Sequence, residues 1–496
     1  MLKPLAADRW NYTMAAHLLN RAGFGGPPAD IQKLADLGPE KAVAFLLDYE
    51  NIPDPAPQLE WAKPDPTRVE RYRAAQTATP EEKRKLQQAE QQMQRQRMME
   101  LRGWWLQRMA RGPRPLQEKL VLFWHGHFAT SVEKVREAYY MWRQNELFRQ
   151  LATGDWQQLL LQAGQDPAML IWLDQAQSKK DHPNENYARE VMELFSLGEG
   201  HYTEKDISEA ARALTGWSLD RLNQKFTYRP IFHDNGPKTF LGRTGNLTGD
   251  DVIAQIIQQP QSARFITAKL WNYFAGQPPS EELNTALADV LRDHKNVFKP
   301  FLRVMFSSQE FYDAGIIRNQ VKSPVQWLVG SVRMLECDLP PTLVSWGMTR
   351  QLGQELFAPP NVKGWDGGTA WITTNTLLTR YNDAQALVEG TLPPLAAGDF
   401  ARKAGGAGGQ KAVKMLQRVR MGGVPLDKIL TPEQRADKKL LVAALEHRLL
   451  QTTFSTGQEK ALSDFLDSKP SQSKLSDADL HTVIRLVMST PEYQVT

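Results

Sequence analysis

Cysteine is almost absent: Cys337 is the single one in 496 residues. An internal disulfide framework is therefore excluded, and a reducing compartment is consistent with the composition. Long apolar runs are missing too. No stretch approaches the ~20 consecutive apolar residues of a membrane span. The first ten residues, Met1 to Trp10, hold a lysine but no apolar segment of signal length. No cleavable secretory signal is visible, and the cytoplasm is the default expectation. Charge of one sign is not in excess. The net charge is +4 from 60 basic and 56 acidic residues, which makes no electrostatic case for nucleic acid or an anionic membrane. Gly103, Gly198 and Gly242 lack the spacing of a phosphate-cradling fingerprint. No serine stands in a nucleophile-elbow pattern. Cys337 lies at an apolar helix end with no nearby histidine, the setting of an inert thiol.

What is present is helix-forming sequence. The hydrophobic content of 41% is ordinary for a folded globular chain, and the length can hold two or three cores. The densest pattern spans residues 183–217. Pro183, Asn184 and Glu185 offer a helix start, and Tyr187, Val191, Leu194 and Phe195 form an apolar stripe at helical spacing. Gly198 and Gly200 stop that helix. Thr203 with Asp206 forms an acidic capping box for a second helix, buried through Ile207, Ala210, Ala211 and Leu214 and ended at Thr215-Gly216.

The pattern predicts a mostly α, multi-helical protein with a small irregular β lobe near 220–245 and a C-terminal helical tail. Residues 1–50 read as an N-terminal helical pair. Residues 51–111 read as a proline-rich linker (Pro53, Pro55, Pro57, Pro64, Pro66) followed by a charged, protruding helical arm. Residues 112–390 form the main helical domain, with one helix expected from Val132 to Leu151 and a loop over 338–349. A glycine-rich linker over 391–410 leads to a helical subdomain, 411–496.

Several of these segments together resemble the bacterial domain of unknown function 1800 family. The pieces that carry the resemblance include His17-Leu18-Leu19-Asn20-Arg21-Ala22-Gly23-Phe24-Gly25, Phe123-Trp124-His125-Gly126-His127-Phe128 and Asn184-Glu185-Asn186-Tyr187-Ala188-Arg189-Glu190. It continues through Ala211 to Trp217, His233-Asp234, Lys238 to Gly242, Lys322-Ser323-Pro324 and Pro359 to Trp365. It covers nearly the whole chain. Position 126 departs from the family's usual asparagine. The resemblance implies no established reaction. It does imply a partner, since family members are often encoded beside a relative of the sulfatase and alkaline-phosphatase superfamily. Many members look exported, so co-export to the periplasm or beyond stays open for this chain.

Three segments concentrate polar groups within apolar surroundings and are expected to converge on one cleft: 123–131, 184–204 and 359–371. His125 and His127 flank one glycine. In extended backbone both rings would point to one side and could bind a divalent metal; on a helix they would diverge. Further ligands would have to come from Glu190 and Glu193 or from His201 and Glu204. Glu190 and Glu193 are also candidates for acid and base, with His127 and Asp234 (or Asp174) as distant partners. The alternative is that these glutamates form a buried ion network with Arg189 and Arg212. Asn184, Asn186, Arg189, Trp124, Lys363, Trp365 and Trp371 are the candidates for holding a polar, glycan-like substrate, because flat rings with polar neighbours stack on sugar faces. Two functions follow. The first is a hydrolytic or metal-assisted enzyme acting on such a substrate; the second is a non-catalytic helical scaffold for the sulfatase-like partner.

Overall fold

Helix-start chemistry recurs along the chain, and the computed structural model, which describes residues 2–392, 421–469 and 475–496, is mostly α-helical. Asn11 caps α1 (Tyr12–Arg21) by accepting from Met14 N at 3.1 Å. Pro28 opens α2 (Pro28–Leu37). The N-terminal pair is in fact three helices. Gly38, at φ +78°, ends α2 and Pro39 at once starts α3 (Pro39–Leu47).

After the proline-rich stretch come α4 (Arg68–Thr77) and α5 (Pro80–Arg111), the latter started by a Thr79–Glu82 capping box. The two halves of α5 differ. Residues before Met98 are largely exposed, whereas Met98, Leu101, Trp105, Leu106 and Met109 are buried. The exposed large apolar residues of the arm, Val69, Tyr72 and Leu86, stand among charged neighbours.

The next helix, α6 (Pro115–His127), carries both site histidines. The expected helix over 132–151 is broken into α7 (Val132–Val135) and α8 (Ala138–Gln150) by Arg136 at φ +57°. Tertiary bonds flank the break. Val132 N donates to Phe357 O at 2.9 Å, and Glu137 is taken up by Arg68 at 2.6 Å. Then follow α9 (Trp156–Gly164), α10 (Pro167–Trp172), α11 (Glu185–Glu193) and α12 (Glu204–Ala213). The Thr203–Asp206 capping box forms as expected.

The β lobe is two separate hairpin-like pairs. Strand β1 (Trp217–Asp220) pairs antiparallel with β2 (Lys225–Tyr228), with Trp217 opposite Tyr228. Strand β3 (Lys238–Phe240) pairs antiparallel with β4 (Arg243–Gly245). Helices resume as α13 (Gly249–Gln258), α14 (Pro260–Ala275), α15 (Glu281–Asp293), α16 (Phe298–Ser307) and α17 (Pro324–Met334). Residues 338–349, read as a loop, contain most of α18 (Thr342–Gln351). Pro340-Pro341 marks its start rather than an irregular segment, and Val344 and Met348, one turn apart, bury its face. After α19 (Thr374–Glu389), short helices from Leu426 to Gln494 complete the described chain. The glycine-rich linker lies, from residue 393 on, outside the described residues, as do 411–420 and 470–474 of the tail.

One hydrophobic cluster runs through the N-terminal helices, the main body and the tail, from Leu18 and Phe24 through Trp124 and Trp327 to Val483. No helix among the described residues is long and apolar enough to cross a membrane.

Candidate functional site

A cavity of about 540 Å³ lies between α6, α14, the turn before α17 and the loop over 365–371. Its walls come from residues distant in sequence. Helix α6 supplies Lys119, Phe123, Gly126 and His127; α14 supplies Lys269, Asn272 and Tyr273. Gln320, Ser323, Gln326 and Gln354 add amide and hydroxyl groups, and Trp365 and Trp371 add indole faces. Asp366 is the sole carboxylate among its described lining residues. The exposed stretch Asp366 with Gly368 and Thr369 places solvent at this side of the cavity.

Lys119 is buried on α6. Its Nζ donates to Gln326 Oε1 and lies 5.1 Å from the centroid of the Phe24 ring and 5.7 Å from that of Tyr273. No carboxylate pairs with it among the described residues. Burial, reinforced by the Arg21 guanidinium, pushes its ammonium down to about 7. Lys269 also lacks a carboxylate among the described residues. Its Nζ donates to Leu194 O at 2.9 Å over the Phe265 ring, and burial lowers it to about 8. Arg21, by contrast, has both terminal nitrogens engaged: Nη1 donates to Phe274 O, and Nη2 to the carbonyls of Ile316 and Thr496 and to Asn319 Oδ1.

The 364–371 loop is seated on α6 through two glycines. Gly364 has φ +89°, and a Cβ there would lie 2.2 Å from Gly126 O. At Gly126 itself a Cβ would meet the Trp365 ring at an ordinary 3.6 Å. It is the bulk beyond Cβ, as in an asparagine, that would displace the indole.

His125 and His127 sit in the last turn of α6, so the extended arrangement that would aim both rings one way does not occur. His125 is packed against Phe357 at 4.9 Å, Trp105 at 5.3 Å and Trp365 at 6.0 Å between centroids, with neither ring nitrogen hydrogen-bonded among the described residues. Burial lowers it to about 4. His127 Nε2 donates to Phe195 O at 3.0 Å. Burial and, next, the Lys269 charge hold it well below the usual histidine value, so it is neutral. The described residues contain no group of three His, Cys, Asp or Glu side chains placed to hold a metal ion.

The segments that carry this seating, 123–128 and 359–365, both fall within one family pattern. The family model described as "Protein of unknown function (DUF1800)" matches residues 17–495. The chain belongs to the DUF1800 family. No curated protein and no solved structure matches it.

In this DUF1800 chain the 184–204 segment stands behind the cavity and does not line it. Its end is nonetheless tied to the cavity wall: Phe195 N donates to Glu190 O, and the carbonyls of Leu194 and Phe195 receive Lys269 and His127. Asn184 caps α11 and donates to Asp174 O, and Asn186 is exposed. Asp174 itself pairs with Lys134 at 2.7 Å. Arg189 forms a two-pronged pair with Glu204 at 2.8 and 2.9 Å, and His201 is exposed. Asp234 is engaged by Arg212 at 2.7 Å, which joins α12 to the β lobe. Trp124 is a core residue, fully buried, with its indole N–H on Ala152 O at 3.0 Å.

The network expected between the glutamates and the two arginines is therefore not made. Arg189 and Arg212 pair elsewhere, and no ion pair among the described residues reaches Glu190. Glu190 is half-buried. Burial, then the Glu193 charge, raises its pKa against the opposing pull of Arg189 and Lys363. Glu193 Oε2 accepts from Tyr202 OH at 3.0 Å.

A raised carboxyl is penalised in its ionised form, so its cost to stability appears as pH rises through the folded value. Glu190→Gln removes that cost. The variant should unfold at the same temperature as the wild type or higher at pH 7, with a change within about 0.5 kcal/mol or slightly stabilising. The difference should close below about pH 4, where the unfolded-state glutamate is itself protonated. A thermal melt across pH checks this; a clear destabilisation at pH 7 would require a buried ion partner for Glu190.

Lys119 and Lys269 escaped sequence reasoning, although a signal was present. Lys119 lies three residues after Leu116 and four before Phe123, and Lys269 lies four after Phe265, so each occupies an apolar-stripe position of its helix. A lysine there either reaches solvent or is buried by design.

Proposed function

We propose that this protein recognises an acidic, sugar-like ligand in the cavity between α6, α14 and the 365–371 loop. The observation that carries the reading is that a buried lysine, Lys119, and a partly buried one, Lys269, neither with a carboxylate partner among the described residues, line one cavity with two tryptophans. An ammonium held out of water without an anion is costly, and a bound carboxylate or sulfate would offset that cost. Trp365 and Trp371 supply flat faces for a pyranose ring, and Asn272, Gln320 and Gln354 supply amide donors and acceptors for hydroxyls. Recognition is supported further than hydrolysis. A two-carboxylate glycosidase scheme needs a pair across the substrate, and Asp366 is the one carboxylate among the described lining residues while Glu190 and Glu193 stand outside the lining.

Methyl β-glucuronoside should raise the thermal midpoint and quench tryptophan fluorescence, and the neutral methyl glucoside should do neither at the same concentration. Lys269→Met should weaken binding by at least about tenfold, the loss of one charge-assisted contact. The variant itself should be no less stable, since it removes a partly buried charge that has no carboxylate partner among the described residues. Equal responses to the acidic and neutral glycosides, or none to either, would refute the reading.

A further inference from the structure

We propose that Lys119 is an amine nucleophile that condenses with an aldehyde or ketone carbonyl of a ligand whose carboxylate is held by Lys269. The inference rests on the reading of this cavity as a ligand site and deepens it: the ligand class becomes an oxo acid, which includes the open-chain aldehyde form of an acidic sugar.

The geometry separates the two lysines by role. Among the described residues Lys119 Nζ has one hydrogen-bonding partner, the neutral Gln326 Oε1, and is otherwise flanked by the Phe24 and Tyr273 rings. Gln326 is itself oriented by donating from Nε2 to Asn20 O at 3.3 Å, and the Tyr273 hydroxyl is committed to Lys119 O at 3.2 Å. Nothing anionic among these neighbours holds a proton on the amine. The Arg21 charge and burial act in the same direction, toward the neutral, nucleophilic form. Lys269, held by the Leu194 carbonyl and less strongly shifted, stays an ammonium and can pair with an anion.

The step balances without a further reactant. The Lys119 nitrogen lone pair forms a C–N bond to the carbonyl carbon, and the C–O π pair becomes a hydroxyl on taking one amine hydrogen. The C–O bond of this carbinolamine then breaks, and the oxygen leaves as water with the second amine hydrogen. The product is a neutral imine. No oxidation or reduction takes place.

The test treats the full-length protein with glyoxylate and sodium cyanoborohydride at pH 7 and maps carboxymethyl-lysine by peptide mass spectrometry. Lys119 should be labelled on the order of a hundredfold faster than the exposed Lys83 and Lys85, because a far larger fraction of its amine is unprotonated at that pH. Lys269→Met should slow labelling at Lys119, and Lys119→Arg, which keeps a cation but cannot form the imine, should abolish it. Its melting curve reports that it folds. Labelling of Lys119 no faster than of Lys83 and Lys85, or an adduct first on Lys269, would overturn the inference. Methyl β-glucuronoside has no free carbonyl, so its binding without glyoxylate labelling removes the nucleophile alone, whereas failure of both removes the ligand site as well.

Discussion

Glu118→Gln should destabilise the protein by about 3–5 kcal/mol at neutral pH, the cost of breaking a buried ion group. Glu118 lies on α6, one residue before Lys119, with its side chain 2% exposed. Its Oε1 accepts from Arg108 Nε and Arg149 Nε, both at 2.8 Å. Its Oε2 accepts from Trp105 Nε1 and Arg149 Nη2, both at 2.9 Å. Both guanidiniums lie 5.0 Å from the Trp104 ring and reach second carboxylates, Asp54 for Arg108 and Glu146 for Arg149, at 2.6 Å each. An amide in place of the carboxylate presents a donor to donors and leaves two cations short of their central anion.

The pH dependence has a definite sign. Burial alone would raise the Glu118 carboxyl, but the Arg149 and Arg108 charges and hydrogen bonds outweigh it and hold the group below the usual glutamate value. A depressed carboxyl contributes stability that is present above the unfolded value and lost as pH falls through the folded one. The gap between wild type and Glu118→Gln should therefore be largest near neutrality and narrow in acid below about pH 4. Denaturant unfolding at several pH values measures it. A gap under about 1 kcal/mol at pH 7 would mean that the three side chains are not energetically coupled.

Gly364→Ala should damage the cavity without touching its charges. At φ +89° an alanine carries strain of roughly 1–3 kcal/mol, and the added methyl would sit 2.2 Å from Gly126 O, an overlap the backbone has to relieve. The relief available is for the loop to lift off α6. Trp365 goes with it, because its ring lies against Gly126 and 6.0 Å from His125. Glucuronoside binding should be lost along with a lowered melting temperature, and tryptophan emission should shift as Trp365 meets water. An unchanged melt with unchanged emission would show that the loop absorbs the methyl in place.

Much of this was legible in local sequence. The capping boxes at Thr79, Thr203 and Thr248 and the prolines at helix starts act within one turn, so their partners are read directly from neighbouring residues. Where expectation and structure part, a distant partner decides. The break at Arg136 is flanked by bonds to Phe357 and Arg68, each remote in sequence. The pairing of Arg189 with Glu204 instead of Glu190 depends on how two helices cross, and no periodicity encodes that.

By itself the sequence determined the helical class, the small β lobe and the family. It did so because propensity, capping and apolar periodicity are short-range properties of the chain. Only the tertiary structure decided that Glu118 sits between two arginines, that Asp234 belongs to Arg212, and that Lys119 and Lys269 line one cavity with Trp365. Burial and the lack of a counter-charge among the described residues are properties of three-dimensional neighbours, and it is these that turn an ordinary lysine on a helix into a candidate binding group.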